Sequence, residues 1–383
     1  MRFEFATSNR IIFGPGTVNQ VGEVVAGGMQ ALVVTGRDAQ RADPVLTALS
    51  KARMPTLTFA VPHEPTTELV RKGVTQAREA GCDIVVAIGG GSVIDAGKAI
   101  AALLTNGGVP LDYLEVIGRG QPLTQRSAPC IAIPTTAGTG TEVTANAVLA
   151  SPEHRVKVSL RSALILPQVA IVDPELTHSV PPQITAATGL DAFTQVLEPY
   201  VTPLSNPMTD TFCREGLWRA SESLLRAFED GQDTAAREDM ALVSLLGGLA
   251  LANAKLGAVH GFAGVLGGMY DAPHGAICGR LLPYVTEANV AALAARAPEN
   301  PALARYDEIA AILTGDFNTE ASDGVDWVAD LCEALGIPGL ATYGVTQDHF
   351  SEIIEKTQRS SSMRGNPIRL TDAELAKILE RAL

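Results

Sequence analysis

The sequence contains no apolar segment long enough to cross a membrane without interruption. A spanning helix needs about 20 consecutive apolar residues, and every apolar stretch here is broken earlier by glycine, proline or charge. The N-terminal sequence MRFEFATSNRIIFGPG also has none of the apolar core that marks a secretory signal peptide. We therefore expect a cytoplasmic protein without a membrane partner.

Basic charge is also scarce. Lysine and arginine number 29 against 42 aspartates and glutamates, which gives a formal net charge of -13 at pH 7. Because nucleic-acid backbones are bound by basic surfaces, this balance argues against a nucleic acid as the main partner. The five cysteines include no Cys-x-x-Cys pair, which favours five reduced thiols in a cytosolic protein.

The first half of the chain alternates apolar runs with segments of helical periodicity. The runs ALVVTG (31–36), DIVVAIGGG (83–91) and CIAIPTT (130–136) are typical of strands in a parallel sheet that is covered on both faces. This alternation predicts a doubly wound α/β domain. The segment 145–160 differs, because two strand-like runs flank the turn signal SPEH and predict a hairpin.

Helical periodicity dominates after about residue 178. Long helices are predicted over 206–230 and 235–254, and further helical segments follow to the C-terminus. We therefore expect an N-terminal α/β domain over residues 1–178 and an all-α domain over 179–383. A cleft between two domains is the default place for a ligand.

The stretch AIGGGSVIDAGKA (87–99) places three glycines between a strand and a helix. Glycines let the backbone approach a diphosphate, and the start of a helix favours an anion. The spacing matches neither G-x-G-x-x-G nor the P-loop, so an ordinary tight turn is the alternative. Lys98 lies too far along the helix for the P-loop lysine role and is interpreted as a surface or packing residue.

A second loop, PTTAGTGTEVT (134–144), also follows a predicted strand and is rich in hydroxyl groups and glycine. Such a loop at the carboxyl end of a strand can surround a nucleotide. Alternatively, its threonines cap only the loop's own backbone. Two loops of this kind in one α/β domain favour a nucleotide site more than either loop does by itself.

The helical half contains a candidate metal cluster. Asp191 and Gln195 are four residues apart and share one helix face, while His260 and His274 lie in an apolar, glycine-rich stretch. One aspartate and two histidines that converge would suit Fe²⁺ or Zn²⁺. The alternative is an aspartate that caps a helix and two hydrogen-bonded core histidines.

Taken in order, these motifs resemble the iron-containing (group III) alcohol dehydrogenase family over essentially the whole chain. The resemblance implies a Rossmann-like parallel-sheet domain followed by a helical domain, in the dehydroquinate synthase-like architecture. It also implies NAD(P)(H) in the cleft and reversible hydride transfer between an alcohol and an aldehyde or ketone. The long helices are compatible with a homodimer, although packing within the core explains them equally well.

The resemblance further implies roles for individual residues. Asp191, His260 and His274 match catalytic metal ligands, and Gln195 stands at the position of the fourth ligand. The implied cofactor-binding residues are Gly90, Gly91 and Ser92 at the pyrophosphate, Asp95 towards the nicotinamide, Thr135, Thr136 and Thr139 around the cofactor, and Lys157 near the ribose.

Two departures from the family pattern bear on the metal. The family usually has histidine where this chain has Gln195, and an amide oxygen is a neutral, weaker ligand for Fe²⁺ or Zn²⁺. The family also often has a proton-relaying histidine where this chain has Gly264. Maleylacetate reductases share the fold without the full metal set, so reduction of a keto acid without an essential metal is the leading alternative.

Two further alternatives come from other functional classes. A dehydroquinate synthase-like lyase would need lysine and arginine for a phosphorylated substrate, and the segment 260–280 offers only Arg280. A non-catalytic nucleotide-binding protein is compatible with Gln195 and Gly264.

A third departure concerns the cofactor. The family commonly has an aspartate at the position of Gly36, where it would bind the ribose 2′-hydroxyl and repel a 2′-phosphate. Here the acid is absent and Arg37 adds a cation, which predicts tolerance of or preference for NADP(H). Asp38 could partly replace the missing acid.

Overall fold

The computed structural model of the protein describes residues 2–154, 156–270 and 272–383. The chain divides into two compact units. The first comprises Ala6–Thr136 and Gly140–Ser179, and the second comprises the N-terminal segment up to Phe5, Ala137–Thr139 and Val180–Leu383. The short segment Ala137–Thr139 groups with the second unit, where Gly138 packs so closely on Thr188 that a methyl group would meet its Cβ at 2.8 Å.

The first unit is built on a six-stranded sheet in the order β1-β8-β5-β4-β2-β3, and all of its pairs are parallel. The inner strands are buried along their whole length, as the uniformly apolar sequence runs predict. A separate antiparallel pair, β6 with β7, confirms the predicted hairpin. The strands are β1 Arg10–Phe13, β2 Ala31–Thr35, β3 Thr56–Ala60, β4 Ile84–Gly89, β5 Cys130–Pro134, β6 Asn146–Ser151, β7 Val156–Arg161 and β8 Val169–Val172.

Helices cover this sheet, and α4 is the one that matters for the site. It begins at Gly91, directly after β4, and its residues from Val93 to Leu103 are buried. Gly97 lets the helix lie against β4, because a methyl group there would come within 2.6 Å of the Ala87 side chain. The helices of this unit are α1 Val21–Val24, α2 Asp43–Lys51, α3 Thr67–Glu79, α4 Gly91–Asn106 and α5 Pro110–Tyr113.

The second unit is helical around one large apolar core, in which α6 is buried from Gly189 to Val201. The α/β unit with a parallel sheet and the helical unit confirm the predicted fold class. The helices are α6 Pro182–Val201, α7 Pro207–Glu229, α8 Thr234–Ala254, α9 Ala258–Met269, α10 His274–Arg296, α11 Pro301–Thr314, α12 Ala321–Ala334, α13 Phe350–Arg359 and α14 Asp372–Ala382.

Two glycines let α10 lie directly against α6. A methyl group on Gly275 would come within 2.0 Å of the Ala187 carbonyl oxygen, and one on Gly279 within 2.5 Å of the Leu190 side chain. Because the first obstacle is backbone, it cannot be relieved by a change of rotamer. The close approach brings the start of α10 next to the middle of α6.

Two further predictions concern cysteines and membrane spans. All five cysteines are free and buried. Among the described helices, none by itself is long and apolar enough to cross a membrane, and the one adjoining pair that reaches the length, α8 with α9, is bent by 100° at its break.

Candidate active site

Four side chains from three helices of the second unit converge on one point. Asp191 lies on α6, His260 on α9, and His274 and Cys278 on α10. One potential ligand atom from each lies within 4.8 Å of the other three. His260 Nε2 is 3.2 Å and His274 Nε2 is 3.8 Å from Asp191 Oδ1, while Cys278 Sγ is 4.0 Å from His260 Nε2. The structure thus brings together the three predicted residues Asp191, His260 and His274, which the sequence separates by up to 83 positions.

Glu198 fixes the orientation of His260. Its Oε2 lies 2.7 Å from His260 Nδ1, and its Oε1 accepts a 2.7 Å hydrogen bond from the Val259 amide. Nδ1 of His260 therefore faces Glu198 and Nε2 faces Asp191, and Nε2 can ligate when a metal ion takes the place of its proton. This arrangement, in which a carboxylate holds a histidine that can ligate, is the usual support of a metal site.

Sequence reasoning missed two members of this site. Glu198 follows Asp191 by seven residues, two helical turns, so the shared helix face was a usable signal. Cys278 follows His274 by four residues on α10, which is the same signal over one turn. This spacing places each residue on the helix face of a predicted ligand, and the packing of α6, α9 and α10 then shows that these faces meet.

The four-atom cluster fits a divalent metal ion. Ligand bonds of about 2.0–2.2 Å to nitrogen or oxygen and about 2.3 Å to sulfur place tetrahedral ligand atoms roughly 3.3–3.5 Å apart. The separations of 3.2, 3.8 and 4.0 Å lie within a few tenths of an ångström of this range, and the other three pairs lie within 4.8 Å, so side-chain adjustments would close the set around an ion. The donor set of carboxylate, two imidazoles and thiol suits Zn²⁺ or Fe²⁺.

The electrostatics of the cluster favour positive charge. Burial acts to raise the pKa of Asp191, but the facing His274 and His260 outweigh it and hold that pKa below its usual value. Burial likewise acts to lower the pKa of His260, but Cys278, Asp191 and Glu198 raise it well above the ordinary range. The carboxylates of Asp191 and Glu198 therefore stabilise positive charge at the cluster, carried either by the protonated imidazole of His260 or by a metal ion that replaces its proton.

Gln195 shares the buried face of α6 with Asp191, as its spacing predicts. Its side-chain amide donates a hydrogen bond to the Asp191 carboxylate. Its Oε1 is buried and accepts no hydrogen bond from any described residue, and a methyl group on Gly247 of α8 would meet that oxygen at 3.3 Å. A ligand role for Gln195 stays a prediction. At Gly264, the other departure from the family pattern, an added methyl group would meet nothing within 4 Å.

The glycine turn lies at the carboxyl edge of the sheet in the first unit. Gly89 ends β4 beside Pro134 of β5, and the Thr135 amide donates to the Gly89 carbonyl at 3.0 Å. Gly90 is the N-cap of α4, where no side chain caps the helix, and a methyl group on Gly90 would lie 3.5 Å from Thr136 Oγ1. The two predicted loops thus begin side by side, at a helix N-terminus suited to a phosphate.

Lys157 reaches the same turn through an exposed glutamate. Ser92 Oγ donates to Glu64 Oε1 at 3.3 Å, and Lys157 Nζ lies 3.5 Å from Glu64 Oε2. The structure therefore places the hairpin lysine near Ser92. Glu64 carried no motif in the sequence and was missed.

Asp95 and Lys98 form a buried network beneath the second loop. Asp95 accepts hydrogen bonds from Thr141 Oγ1 at 2.5 Å and from the Val148 amide at 3.0 Å. Lys98 Nζ donates to Thr141 O, Thr141 Oγ1 and Thr144 Oγ1 at 2.7–3.0 Å. Lys98 has no exposed surface, so of the two interpretations, a surface or a packing residue, the structure supports packing. These hydrogen bonds hold the loop to α4. A buried ammonium group would be costly without such partners.

Three predicted cofactor residues remain. Thr139 lies in the segment Ala137–Thr139, which groups with the second unit. Gly36 and Arg37 directly follow β2, and the exposed Arg37 guanidinium lies 3.0 Å from His63 Nδ1. Asp38 Oδ1 is occupied, because it accepts the Gln40 amide and caps the 3₁₀ turn Ala39–Ala42.

Comparison with known proteins shows the family to which this chain belongs. The model of the iron-containing alcohol dehydrogenases matches residues 8–174, and the model of the C-terminal region of the Fe-containing alcohol dehydrogenase family matches 185–383. The 1,3-propanediol dehydrogenase of Citrobacter freundii is 35% identical over 99% of this chain and 98% of its own length. The 4-hydroxybutyrate dehydrogenase of Cupriavidus necator is 35% identical over 92% of this chain and 90% of its own length.

A solved structure agrees with these relatives. The crystal structure of a 1,3-propanediol oxidoreductase superposes with a TM-score of 0.93, 34% identity and complete coverage of both chains. The protein therefore belongs to the iron-containing alcohol dehydrogenase family. It is an oxidoreductase that acts on alcohols.

Proposed function

We propose that this enzyme interconverts short linear primary alcohols that carry a second polar group with the corresponding aldehydes. The observation that carries the proposal is the cluster of Asp191, His260 and His274, oriented through Glu198. The names of two relatives support the substrate class, because 1,3-propanediol and 4-hydroxybutyrate are both short primary alcohols with a second polar end.

Asp191, His260 and His274 are the residues that would hold a divalent metal. When bound there, the ion acts as a Lewis acid on the oxygen of the substrate. Asp191 and His260 are almost fully buried, whereas about 42% of the His274 side chain is exposed. His274 therefore marks the open side of the cluster, from which an oxygen atom can approach.

Glu198 and Gln195 act through these ligands. Glu198 accepts the Nδ1 proton of His260 and keeps Nε2 directed at the cluster. Gln195 donates to Asp191 and so limits rotation of that carboxylate. If hydride transfer proceeds without a metal, the same histidines and Gln195 donate hydrogen bonds to the developing alkoxide.

The cofactor is NAD(H) or NADP(H), with its pyrophosphate at Gly90, Gly91 and Ser92. The open N-terminus of α4 supports this placement. We propose that NADP(H) is accepted, because Gly36 removes the acid, Arg37 adds an exposed cation, and the Asp38 carboxylate is occupied as a helix cap.

A keto-acid substrate has less support. The cation nearest in sequence to the cluster is Arg280, and its guanidinium is bound to the carbonyl oxygens of Ala382 and Arg381. It is therefore not free to bind a carboxylate of a substrate, which weighs against keto acids and, within the proposed substrate class, favours diols over hydroxy acids.

A substrate panel tests the proposal. Aldehydes derived from short diols and hydroxy acids, unsubstituted aldehydes of equal length, and keto acids are compared by oxidation of NADH and NADPH. The first group should give the highest kcat/KM. Equal kcat/KM for the unsubstituted aldehydes would contradict the substrate class, and a clear keto-acid preference would favour the maleylacetate reductase alternative.

Removal of the metal tests its role. Chelation should abolish turnover, and addition of Zn²⁺ or Fe²⁺ should restore it. Full activity of protein shown to contain no metal would leave only the hydrogen-bonding mechanism.

A further inference from the structure

Cys278 lies among the candidate metal ligands, and packing in the apolar core alone does not explain why its thiol faces them. It is fully buried on α10, one turn after His274, and its Sγ is directed at His260 Nε2 from 4.0 Å. It therefore reaches the same point as Asp191 and both histidines. A thiol in this position can become a ligand without any movement of the backbone.

Gln195 is less well placed to complete the site. Its amide nitrogen already serves Asp191, and its Oε1 packs towards Gly247 on α8. The amide oxygen is also neutral, whereas a thiolate supplies a negative charge and a polarisable donor. Geometry and charge therefore both favour Cys278 over Gln195 as the fourth ligand.

We propose that Cys278 is the fourth metal ligand, that Gln195 is a positioning residue for Asp191, and that the site prefers Zn²⁺ to Fe²⁺. This inference rests on the metal site of the proposed function. Coordination takes place through the thiolate, so the proton of Cys278 is released to solvent when the metal binds. Asp191 and Cys278 then balance the two positive charges of the ion. Sulfur ligation and the intrinsic affinity order of divalent metals both favour zinc over iron.

Cys332 provides the matched control. It is also a free, buried thiol beside α10, but its Sγ donates to the Gly279 carbonyl at 3.2 Å and it is not part of the four-atom cluster. Replacement of either cysteine by serine changes one atom in a buried site. Only the replacement of Cys278 should change the ligands of the metal.

X-ray absorption of the zinc-loaded enzyme tests the ligand set directly. The wild type should show one sulfur neighbour at about 2.3 Å together with nitrogen and oxygen neighbours at about 2.0–2.2 Å. Cys278→Ser should lose the sulfur neighbour, while Cys332→Ser and Gln195→Ala should retain it. A wild-type spectrum with nitrogen and oxygen neighbours only, or no bound metal, would overturn the inference.

Affinity gives a second readout. In chelator competition, Cys278→Ser should weaken zinc binding by roughly 100-fold, and Gln195→Ala by at most about tenfold, the lower end of what outer-shell partners contribute. The preference for zinc over iron should fall only in Cys278→Ser. The opposite order of the two variants would assign the fourth position to Gln195.

Turnover of the nicotinamide cofactor is measured on the same preparations. Turnover without a sulfur neighbour would overturn the role of Cys278 and leave the proposed function intact. A sulfur neighbour with no turnover of any aldehyde would retain the zinc site and overturn the proposed function.

Discussion

We expect Glu142 to make the stability of the protein depend on pH, and one substitution should remove its contribution. Its carboxyl group is buried in the second loop, and neither oxygen has a hydrogen-bond partner among the described residues. Burial raises the pKa of Glu142 to about 7, although Lys98 opposes the shift. That lysine is itself paired with Asp95 in the network beneath the loop. The folded protein therefore retains a proton that the unfolded chain loses near the usual pKa of 4.5.

The sign and size of the effect follow from this difference in pKa. Between pH 4.5 and pH 7 the unfolded state binds fewer protons at Glu142, so the free energy of unfolding falls as the pH rises. At about 1.4 kcal/mol per pKa unit, the full loss above pH 7 is roughly 3 kcal/mol, of which about 2 kcal/mol falls between pH 5.5 and pH 8. Glu142→Gln keeps the shape of the protonated acid and should escape this loss.

Urea unfolding at pH 5.5 and pH 8 measures the effect. Far-ultraviolet circular dichroism is the suitable probe, because it reports on the helices and strands of both units, whereas both tryptophans, Trp218 and Trp327, lie in the helical unit. Relative to wild type, Glu142→Gln should gain about 2 kcal/mol between the two pH values. The control Glu79→Gln, at an exposed position of α3, should gain nothing. Parallel pH profiles for wild type and Glu142→Gln would refute the reasoning.

Four further substitutions, one of them a control, test other parts of the structure. Gly275→Ala should cost about 3 kcal/mol and weaken zinc binding, because its methyl group would meet the backbone of α6. Gly267→Ala, with open space around it, should leave zinc affinity unchanged and stabilise α9 by up to about 1 kcal/mol; equal behaviour of the two would contradict the close helix contact. Glu198→Gln should lower zinc affinity roughly 10–100-fold in chelator competition, and unchanged affinity would remove its orienting role. Arg37→Ala should lower kcat/KM for NADPH about tenfold and leave that for NADH nearly unchanged, and an equal loss for both cofactors would refute a contact with the 2′-phosphate.

The sequence could predict features that depend on local periodicity. Uniformly apolar runs identified the buried parallel strands, alternation around SPEH identified the hairpin, and a four-residue spacing placed Asp191 and Gln195 on one helix face. Each of these follows from the repeat of a strand or helix, which a short window of sequence contains.

The full membership of the metal cluster and the place of Lys98 depended on contacts between segments that are distant in the sequence. Cys278 became part of the cluster only because α10 lies against α6 at Gly275, and nothing local in the sequence specifies that contact. The sequence left Lys98 open between a surface and a packing role for the same reason, since its partners Thr141 and Thr144 lie more than 40 residues away. A long polar side chain is assigned to the surface unless its buried partners are known.

The interleaving of the two units along the chain limits how the protein can be divided. The backbone leaves one unit for the other after Phe5, Thr136, Thr139 and Ser179. A fragment that ends at Ser179 would therefore carry Ala137–Thr139 without Thr188, on which Gly138 packs. We expect neither half to be expressed as an independently stable nucleotide-binding or metal-binding module. Exchange of one unit with that of a relative would have to transfer this three-residue segment together with the helices it packs on.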